Sequence, residues 1–210
     1  MTTNQVTNDT RKIPRFDGAE RAVHWIVAIT FLYAALSGLS LWSRKLYWLA
    51  QVLGGGETVR AMHPLLALVF IAAFTRMFFR WKSEMRLDAD DKTWLANSHK
   101  YAMNQEDGLP EVGKYNGGQK MMFWMQSLFA LLLLASGVVL WFPEWMPRGA
   151  RLFAVLVHPL AAIGAIGGII VHIYMGTAAV PGSIKAMVRG VVSPRWAAAH
   201  HPKWYREQGR

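Results

Sequence analysis

Residues 152–179 read LFAVLVHPLAAIGAIGGIIVHIYMGTAA, a run that contains no lysine, arginine or acidic residue. A helix needs about 20 apolar residues to cross the hydrocarbon core of a bilayer, so this run is long enough to do so. Two histidines, His158 and His172, interrupt its apolar character. The run therefore predicts a membrane-spanning helix that carries two ionisable side chains at different depths.

Three further runs have the same character, and they lie at about 22–43, 61–81 and 120–142. Each is apolar nearly all round, which is typical of a helix that faces lipid. The fold class predicted is an all-α integral membrane protein built on a bundle of four transmembrane helices. The predicted divisions are a polar tail (1–21), the transmembrane domain (22–180, with a polar loop at 82–119) and a basic tail (181–210). Residues 1–20 lack the pattern of a cleaved signal peptide and are interpreted as a solvated tail.

The distribution of basic residues predicts the orientation of these spans. The chain is 53% hydrophobic and carries a formal net charge of +10. Of its Lys and Arg residues, 18 lie in the two tails or in the loop between the second and third spans with its flanks (76–120), and 5 lie in or next to the other two connections. The positive-inside rule then puts both termini in the cytoplasm. A nucleic-acid binder would gather its basic residues on one face, so no nucleic-acid partner is expected.

Histidine is the metal-ligating residue that this sequence offers at membrane depth. There is no cysteine, which excludes thiolate-bound iron–sulfur clusters and covalent c-type haem. Ionisable residues inside a membrane are rare and are functional by default. Four histidines fall within the predicted spans: His24, His63, His158 and His172. The remaining three, which are His99, His200 and His201, are predicted to be solvated surface residues.

Depth sorts the four histidines into two pairs. His24 lies near the cytoplasmic face, whereas His63 and His158 lie near the outer face. His172 comes 14 residues after His158, about 21 Å deeper at 1.5 Å per residue. We therefore expect His63 to meet His158 and His24 to meet His172. Two axial histidine pairs at two depths are what two stacked b-type haems require.

Helical phase supports the same interpretation. Fourteen residues at about 100° each bring His172 to within roughly 40° of His158, so both share one face of the fourth span. Between them that face carries Ala161, Ala165 and Gly168. Such a strip lets a flat macrocycle approach the backbone, although small residues equally serve close helix packing. Because a histidine lies at each end of this strip, the pattern favours a bound macrocycle over close helix packing alone.

A His-Pro dipeptide occurs in both the second and fourth spans, as His63-Pro64 and His158-Pro159. Proline in the first turn of a helix costs no hydrogen bond. We therefore expect both histidines to lie where a helix begins. The repetition favours equivalent roles for the two residues.

The chemistry that follows is electron transfer. A haem iron with two axial imidazoles has no open coordination position for oxygen or substrate. Two such haems would connect an outer electron donor with an acceptor near the inner face. A hydrophobic quinone is the expected acceptor within a bilayer, and it needs hydrogen-bond donors and a route for protons.

Specific motifs carry a resemblance to a known family. They are VGKYNGGQKMMFW (112–124), GSIKAM (182–187), VSPRW (192–196) and HHPKWYRE (200–207), with AVHW (22–25), MHP (62–64) and HIYM (172–175) around the histidines. Across about residues 15–207 the chain resembles the gamma (cytochrome b) subunit of respiratory formate dehydrogenases. Pro159 and the long N-terminal tail depart from that pattern.

The resemblance implies ligands, partners and location. His24 and His172 would hold an inner haem b, and His63 and His158 an outer haem b. The resemblance also implies that menaquinone or ubiquinone binds at Asn116, Gly118, Gln119 and His172. Formate oxidation would occur on a molybdenum or tungsten alpha subunit, linked through an iron–sulfur beta subunit, so no catalytic residue is assigned here. The complex would be a heterotrimer, or a higher oligomer of it, in the bacterial inner membrane.

Alternatives remain open at this stage. Asn116 with Gly117 and Gly118 equally predicts a turn that caps the third helix. A cytochrome b subunit of a membrane-bound hydrogenase or thiosulfate reductase shares the helix and histidine plan. A non-redox anchor or transporter is a third possibility. Arg76, near the inner end of the second span, either meets a haem propionate or extends to the headgroups, and the latter is favoured.

Overall fold

A computed structural model describes residues 12–102 and 108–208, and these are mostly helical. In chain order the helices are α1 (Gly18–Trp42), α2 (Trp48–Val52), α3 (Gly56–Trp81), α4 (Ala89–Ala96), α5 (Ser98–Ala102), α6 (Gly117–Trp141), α7 (Arg148–Tyr174), α8 (Ile184–Arg189), α9 (Pro194–His200) and α10 (Pro202–Glu207). A π-helical turn, Met175–Ala179, continues α7. Four helices, α1, α3, α6 and α7 with its extension, are long and apolar enough to cross a membrane. The predicted four spans are thus confirmed as helices.

Each long helix begins three to five residues before the predicted span. The added residues are polar or small, such as Glu57 and Arg60 in α3 and Arg148 and Arg151 in α7. Hydropathy marks the part of a helix that suits lipid, but hydrogen bonding continues through charged residues that follow the membrane boundary. The start of α1 is instead marked by a capping box, in which Asp17 and Glu20 each accept the other's backbone N–H.

The chain forms two compact units. The first, here called the bundle unit, comprises Ala22–Lys82 and Trp124–Val171. Its core is a cluster contributed by all four long helices: Phe31, Phe70, Phe74, Ala130 and Ala165. Large apolar side chains such as Ile29, Leu131 and Leu160 are more than 60% exposed on the outside of these helices. That distribution suits a helix bundle surrounded by lipid.

The second unit, here called the tail unit, comprises the described parts of Met1–Arg21, Ser83–Phe123 and His172–Arg210. Within it, β1 (Ile13–Pro14) pairs antiparallel with β2 (Val191–Val192). Ile13, Ala186, Val192, Ala197 and Trp204 form its buried cluster. The interpretation of the N-terminal tail as a purely solvated segment is therefore wrong for Ile13 and Arg15, which are buried.

Candidate functional site

His63 and His158 lie side by side in the bundle unit. Their ring centroids are 6.3 Å apart and their planes are inclined at 70°. An iron bound between two imidazoles would need about 2 Å to each nitrogen and about 1 Å more to each ring centre, so about 6 Å in all. The observed separation therefore fits an axial pair. The structure brings together the two histidines that depth had paired, and their role as ligands stays a prediction.

A serine from the preceding long helix holds each of these rings. Ser37 Oγ on α1 lies 2.8 Å from His63 Nδ1, and Ser136 Oγ on α6 lies 2.9 Å from His158 Nδ1. With Nδ1 engaged on each ring, Nε2 is the nitrogen that remains for a metal. A histidine that ligates a metal through one nitrogen and hydrogen-bonds through the other is the usual arrangement in metalloproteins. The donor set thus fits the haem that the histidines imply.

The expectation that the two histidines begin their helices is wrong. Pro64 and Pro159 lie inside α3 and α7, which begin at Gly56 and Arg148. An interior proline removes one backbone hydrogen bond and crowds the carbonyl four residues before it. For His63 the prediction failed because residues 56–60 were assigned to a loop, although they are helical. For His158 the apolar residues 152–157 already continue the helix before the His-Pro pair, and α7 begins further back, at Arg148.

His24 and His172 occupy different units and are described separately. His24 is partly buried in the bundle unit, where its ring meets Trp25 edge to face at 5.5 Å. His172 lies two residues before the end of α7, in the tail unit. The pairing of His24 with His172 remains a prediction from depth. Between His158 and His172, Ala161 and Ala165 are buried, so that face of α7 points into the bundle unit.

The residues predicted to contact a quinone form the entry to α6. Asn116 Oδ1 accepts the Gln119 N–H at 2.8 Å, and Gln119 Oε1 accepts the Asn116 N–H at 2.9 Å. This reciprocal pair is a capping box, so the alternative of a helix-capping turn is correct as a local description. Only the amide oxygens are used in these two bonds. The amide NH₂ groups are the donors through which either side chain would serve a quinone carbonyl.

The glycines beside this cap allow close packing on α4. A Cβ at Gly117 would lie 2.9 Å from the backbone oxygen of Asp91, and one at Gly118 would lie 3.1 Å from the Trp94 ring. Close packing against α4 therefore explains why glycine occupies both positions. The quinone role implied for Gly118 remains a prediction.

A polar cavity of about 160 Å³ lies next to this cap within the tail unit. Its lining includes Asp88, Asp91, Asn116 and Lys120. Lys120 Nζ lies 2.5 Å from Asp91 Oδ2, and both side chains are largely buried. The cavity has room for several water molecules with polar partners. It is therefore suited to deliver protons toward Asn116.

His201 is a residue whose environment the sequence analysis missed, because it is 3% exposed rather than solvated. Its Nδ1 lies 2.7 Å from the carbonyl oxygen of Gly113, and Nε2 lies 3.2 Å from Arg15 Nη2. Burial, reinforced by the charge of Arg15, lowers the pKa of His201 to about 3. The ring is therefore neutral at physiological pH, with Nδ1–H donating to Gly113 and Nε2 accepting from Arg15.

The Arg15 guanidinium is enclosed by aromatic rings, with Trp204 at 4.8 Å and Trp196 at 5.3 Å. It also donates to the carbonyl oxygen of Lys114. Of the other histidines outside the spans, His99 is exposed, as predicted, and His200 is partly buried. Arg76 is exposed, which suits extension to the headgroups.

Ser37 and Ser136 are the site residues that sequence reasoning overlooked. A repeated sequence pattern accompanies them, because a Ser-Gly pair in one long helix is followed by a His-Pro pair in the next: Ser37-Gly38 before His63-Pro64, and Ser136-Gly137 before His158-Pro159. Serine in a membrane helix is ordinarily satisfied by its own backbone. The sequence offers no means of telling such a serine from one that holds a neighbouring ring.

The fold and this site define a multi-pass helical membrane protein with a partly buried histidine pair suited to a metal. The family model of prokaryotic cytochrome b561 matches residues 15–190, and the chain belongs to this family. Membership of a cytochrome b family implies haem b as the cofactor.

Individual relatives of the chain are more specific than the family model. The cytochrome b556(fdo) subunit of formate dehydrogenase from Escherichia coli K12 is 41% identical over 93% of this chain and 92% of its own length. The nitrate-inducible cytochrome b556(Fdn) subunit of formate dehydrogenase from the same organism is 40% identical over 94% of this chain and 92% of its own. A formate dehydrogenase cytochrome b556 subunit from Haemophilus influenzae is 33% identical over 99% of this chain and 88% of its own.

Proposed function

We propose that this chain is the cytochrome b subunit of a respiratory formate dehydrogenase. It would anchor the complex in the bacterial inner membrane and conduct electrons from an iron–sulfur subunit to a quinone. The relatives carry formate dehydrogenase in their names and match nearly the full chain. The observation that carries the redox role is the His63–His158 pair at 6.3 Å with both Nδ1 atoms held by serines.

The proposed cofactors are two haems b. His63 and His158 would hold the outer one, and His24 and His172 the inner one. A haem with two axial imidazoles supplies one-electron transfer when bound, because no coordination position is left for a substrate. The chain's own part is to hold the rings at two depths and to keep water from the irons. The excess of basic residues in the tails and the loop supports cytoplasmic termini.

The proposed acceptor is menaquinone or ubiquinone, reduced near the cytoplasmic face by two electrons and two protons. His172 and the amide donors of Asn116 and Gln119 would hold its oxygens. The polar cavity beside Asn116 supports this location because it offers water and titratable groups, among them the Asp91–Lys120 pair. Protons taken up inside while formate is oxidised outside would build a proton-motive force.

Haem content tests the proposal directly. In the complex purified from bacterial membranes we expect two haems b per chain. His63→Ala and His158→Ala should each lose the outer haem first, whereas His24→Ala and His172→Ala should lose the inner one. His99→Ala is the matched control, since this exposed histidine should leave both haems in place. A purified protein without a reduced-haem absorbance band would refute the cytochrome role. Loss of only the inner haem from His63→Ala would refute the pairing.

The electron donor separates formate dehydrogenase from the related alternatives. Formate should reduce the haems of the purified complex, hydrogen should not reduce them, and thiosulfate should not reoxidise haems that have been reduced. The large subunit that co-purifies should contain molybdenum or tungsten. Reduction by hydrogen alone would identify a hydrogenase subunit instead.

The quinone role is separable from helix capping by substitution. Asn116→Asp and Gln119→Glu retain the oxygens that cap α6 but lose the amide donors. We expect both variants to keep formate-driven haem reduction and to lose most quinone reduction, by about tenfold or more. Asn116→Ala removes the cap as well and reports its structural contribution. Quinone reduction at the normal rate in both Asp and Glu variants would show that these residues serve only as a cap.

A further inference from the structure

We propose that Ser37 and Ser136 are positioning residues for the outer haem, which fix the tautomer of His63 and His158 and lower the reduction potential of the iron between them. This inference rests on the proposed function, because it concerns the outer of the two proposed haems.

The hydroxyl proton of each serine is committed to its own helix. Ser37 Oγ lies 2.6 Å from the carbonyl oxygen of Tyr33, and Ser136 Oγ lies 2.6 Å from that of Leu132. A carbonyl oxygen can only accept, and a serine has one proton to donate. Each Oγ must therefore act as an acceptor toward the imidazole.

The tautomer of each histidine follows from this. His63 Nδ1 and His158 Nδ1 must carry the hydrogen that Ser37 and Ser136 accept, at 2.8 and 2.9 Å. Both rings are thus neutral Nδ1–H tautomers. Each presents the Nε2 lone pair, which is the form that coordinates iron.

The glycine after each serine lets the ring come this close. A Cβ at Gly38 would lie 3.1 Å from His63 Cε1, and one at Gly137 would lie 3.4 Å from His158 Cε1. Each Ser-Gly pair therefore provides an acceptor for Nδ1 and a surface for the adjacent ring edge. The same device occurs twice, on α1 toward α3 and on α6 toward α7.

The plainer explanation is that these serines only satisfy their own helices. Ser40 and Thr30 are buried and do so, with Oγ of Ser40 2.7 Å from the Ser37 carbonyl and Oγ1 of Thr30 2.7 Å from that of Ile26. Ser37 and Ser136 differ because each also reaches a histidine on another helix. The serine-to-histidine distance is nearly the same at two separate helix pairs. This repetition argues that the bond between helices has a role beyond satisfying the serine.

The expected effect is on the iron's electron affinity. A hydrogen bond accepted from Nδ1–H makes Nε2 more basic. A more basic ligand favours the ferric state, so each serine should lower the reduction potential. Loss of the hydroxyl removes this acceptor from Nδ1–H but leaves both imidazoles in place, so we expect the haem to stay bound with a higher potential.

Redox titration of the purified complex tests this inference, with Ser37→Ala, Ser136→Ala and the double variant. The outer haem is identified as the component that His63→Ala lacks. We expect its midpoint potential to rise in each single variant and further in the double one, with altered low-temperature EPR g-values. Ser37→Thr and Ser136→Thr should return both readouts toward wild type, because threonine keeps the hydroxyl.

Ser40→Ala is the matched control, since it removes a buried hydroxyl from α1 without touching a histidine. An unchanged potential and EPR spectrum in the double variant would overturn the inference, as would an equal shift in Ser40→Ala. If an alanine variant loses the outer haem, recovery in the threonine variant supports the inference and failure to recover overturns it. A wild-type complex without haem would instead refute the proposed function, and the inference with it.

Discussion

Among individual residues, the histidines are the ones from which a function of this protein can be predicted. An imidazole in lipid is energetically unfavourable, so His63 and His158 are predicted to be functional from sequence and depth. Their serine partners are not, because a serine in a helix has an acceptor within its own backbone. His201 was misassigned for the opposite reason, since it lies in a basic polar tail but is buried against Arg15.

Acidification should loosen the tail unit through His201. The unfolded chain would protonate this ring near pH 6.5, but the folded chain does so only at about 3. The unfolded state therefore binds more protons between these values, and stability falls as pH drops below 6.5 by up to about 1.4 kcal/mol per pH unit. Hydrogen exchange of residues 190–207 at pH 7.5, 6 and 5 would measure this.

His201→Asn is the companion variant, because it cannot titrate and keeps polar atoms near Gly113. The pH dependence of exchange in this segment should be reduced in His201→Asn. An equal pH dependence in the variant and the wild type would assign the effect to other groups.

At the scale of the element, hydropathy located four helices but not where they begin. Apolar side chains report contact with lipid, whereas a helix start depends on capping and on packing of polar residues. The start of α6 illustrates this, because Asn116 and Gln119 cap the helix. Gly117 and Gly118 next to this cap pack closely against α4. Pro64 and Pro159 could be placed inside α3 and α7, and not at their first turns, only once the observed starts of these helices were known.

Gly117→Ala should separate α4 from the start of α6. Its Cβ would lie 2.9 Å from the Asp91 backbone oxygen, which cannot yield as a flexible side chain can. We expect destabilisation of about 1–3 kcal/mol, typical of overpacking, measured as a lower denaturation midpoint of the purified complex. Gly113→Ala is the control, since a Cβ there meets nothing within 4 Å. Equal midpoints for the two variants would contradict this packing argument.

At the scale of the whole molecule, segments far apart in sequence form the tail unit. The β1–β2 pair joins residues 13–14 to 191–192, and the Lys203 N–H donates to the Val112 carbonyl at 3.2 Å. Arg206 and Glu111 form an exposed ion pair, which contributes little on its own. The buried cluster around Ile13 and Trp204 is the main source of cohesion.

Ile13→Asp should release the two tails from the loop. Ile13 is 0% exposed, so an unpaired carboxylate there would cost at least about 3 kcal/mol. In the detergent-purified complex we expect trypsin to cleave within residues 185–206 much faster than in wild type. Lys12→Asp places the same charge at the neighbouring exposed position and should leave cleavage unchanged. Wild-type resistance in Ile13→Asp would show that the cluster does not hold the tails.

Composition and hydropathy were enough to predict the membrane class and the four long helices, and they also predict histidines at two depths. These features depend on composition and on periodicity along one helix, which local patterns record. The contacts of Ser37 and Ser136 with His63 and His158, and the burial of His201, could be seen only in the folded structure. Those features depend on which atoms of distant segments come within hydrogen-bond distance, and a serine or histidine looks the same in sequence whether or not such a partner exists.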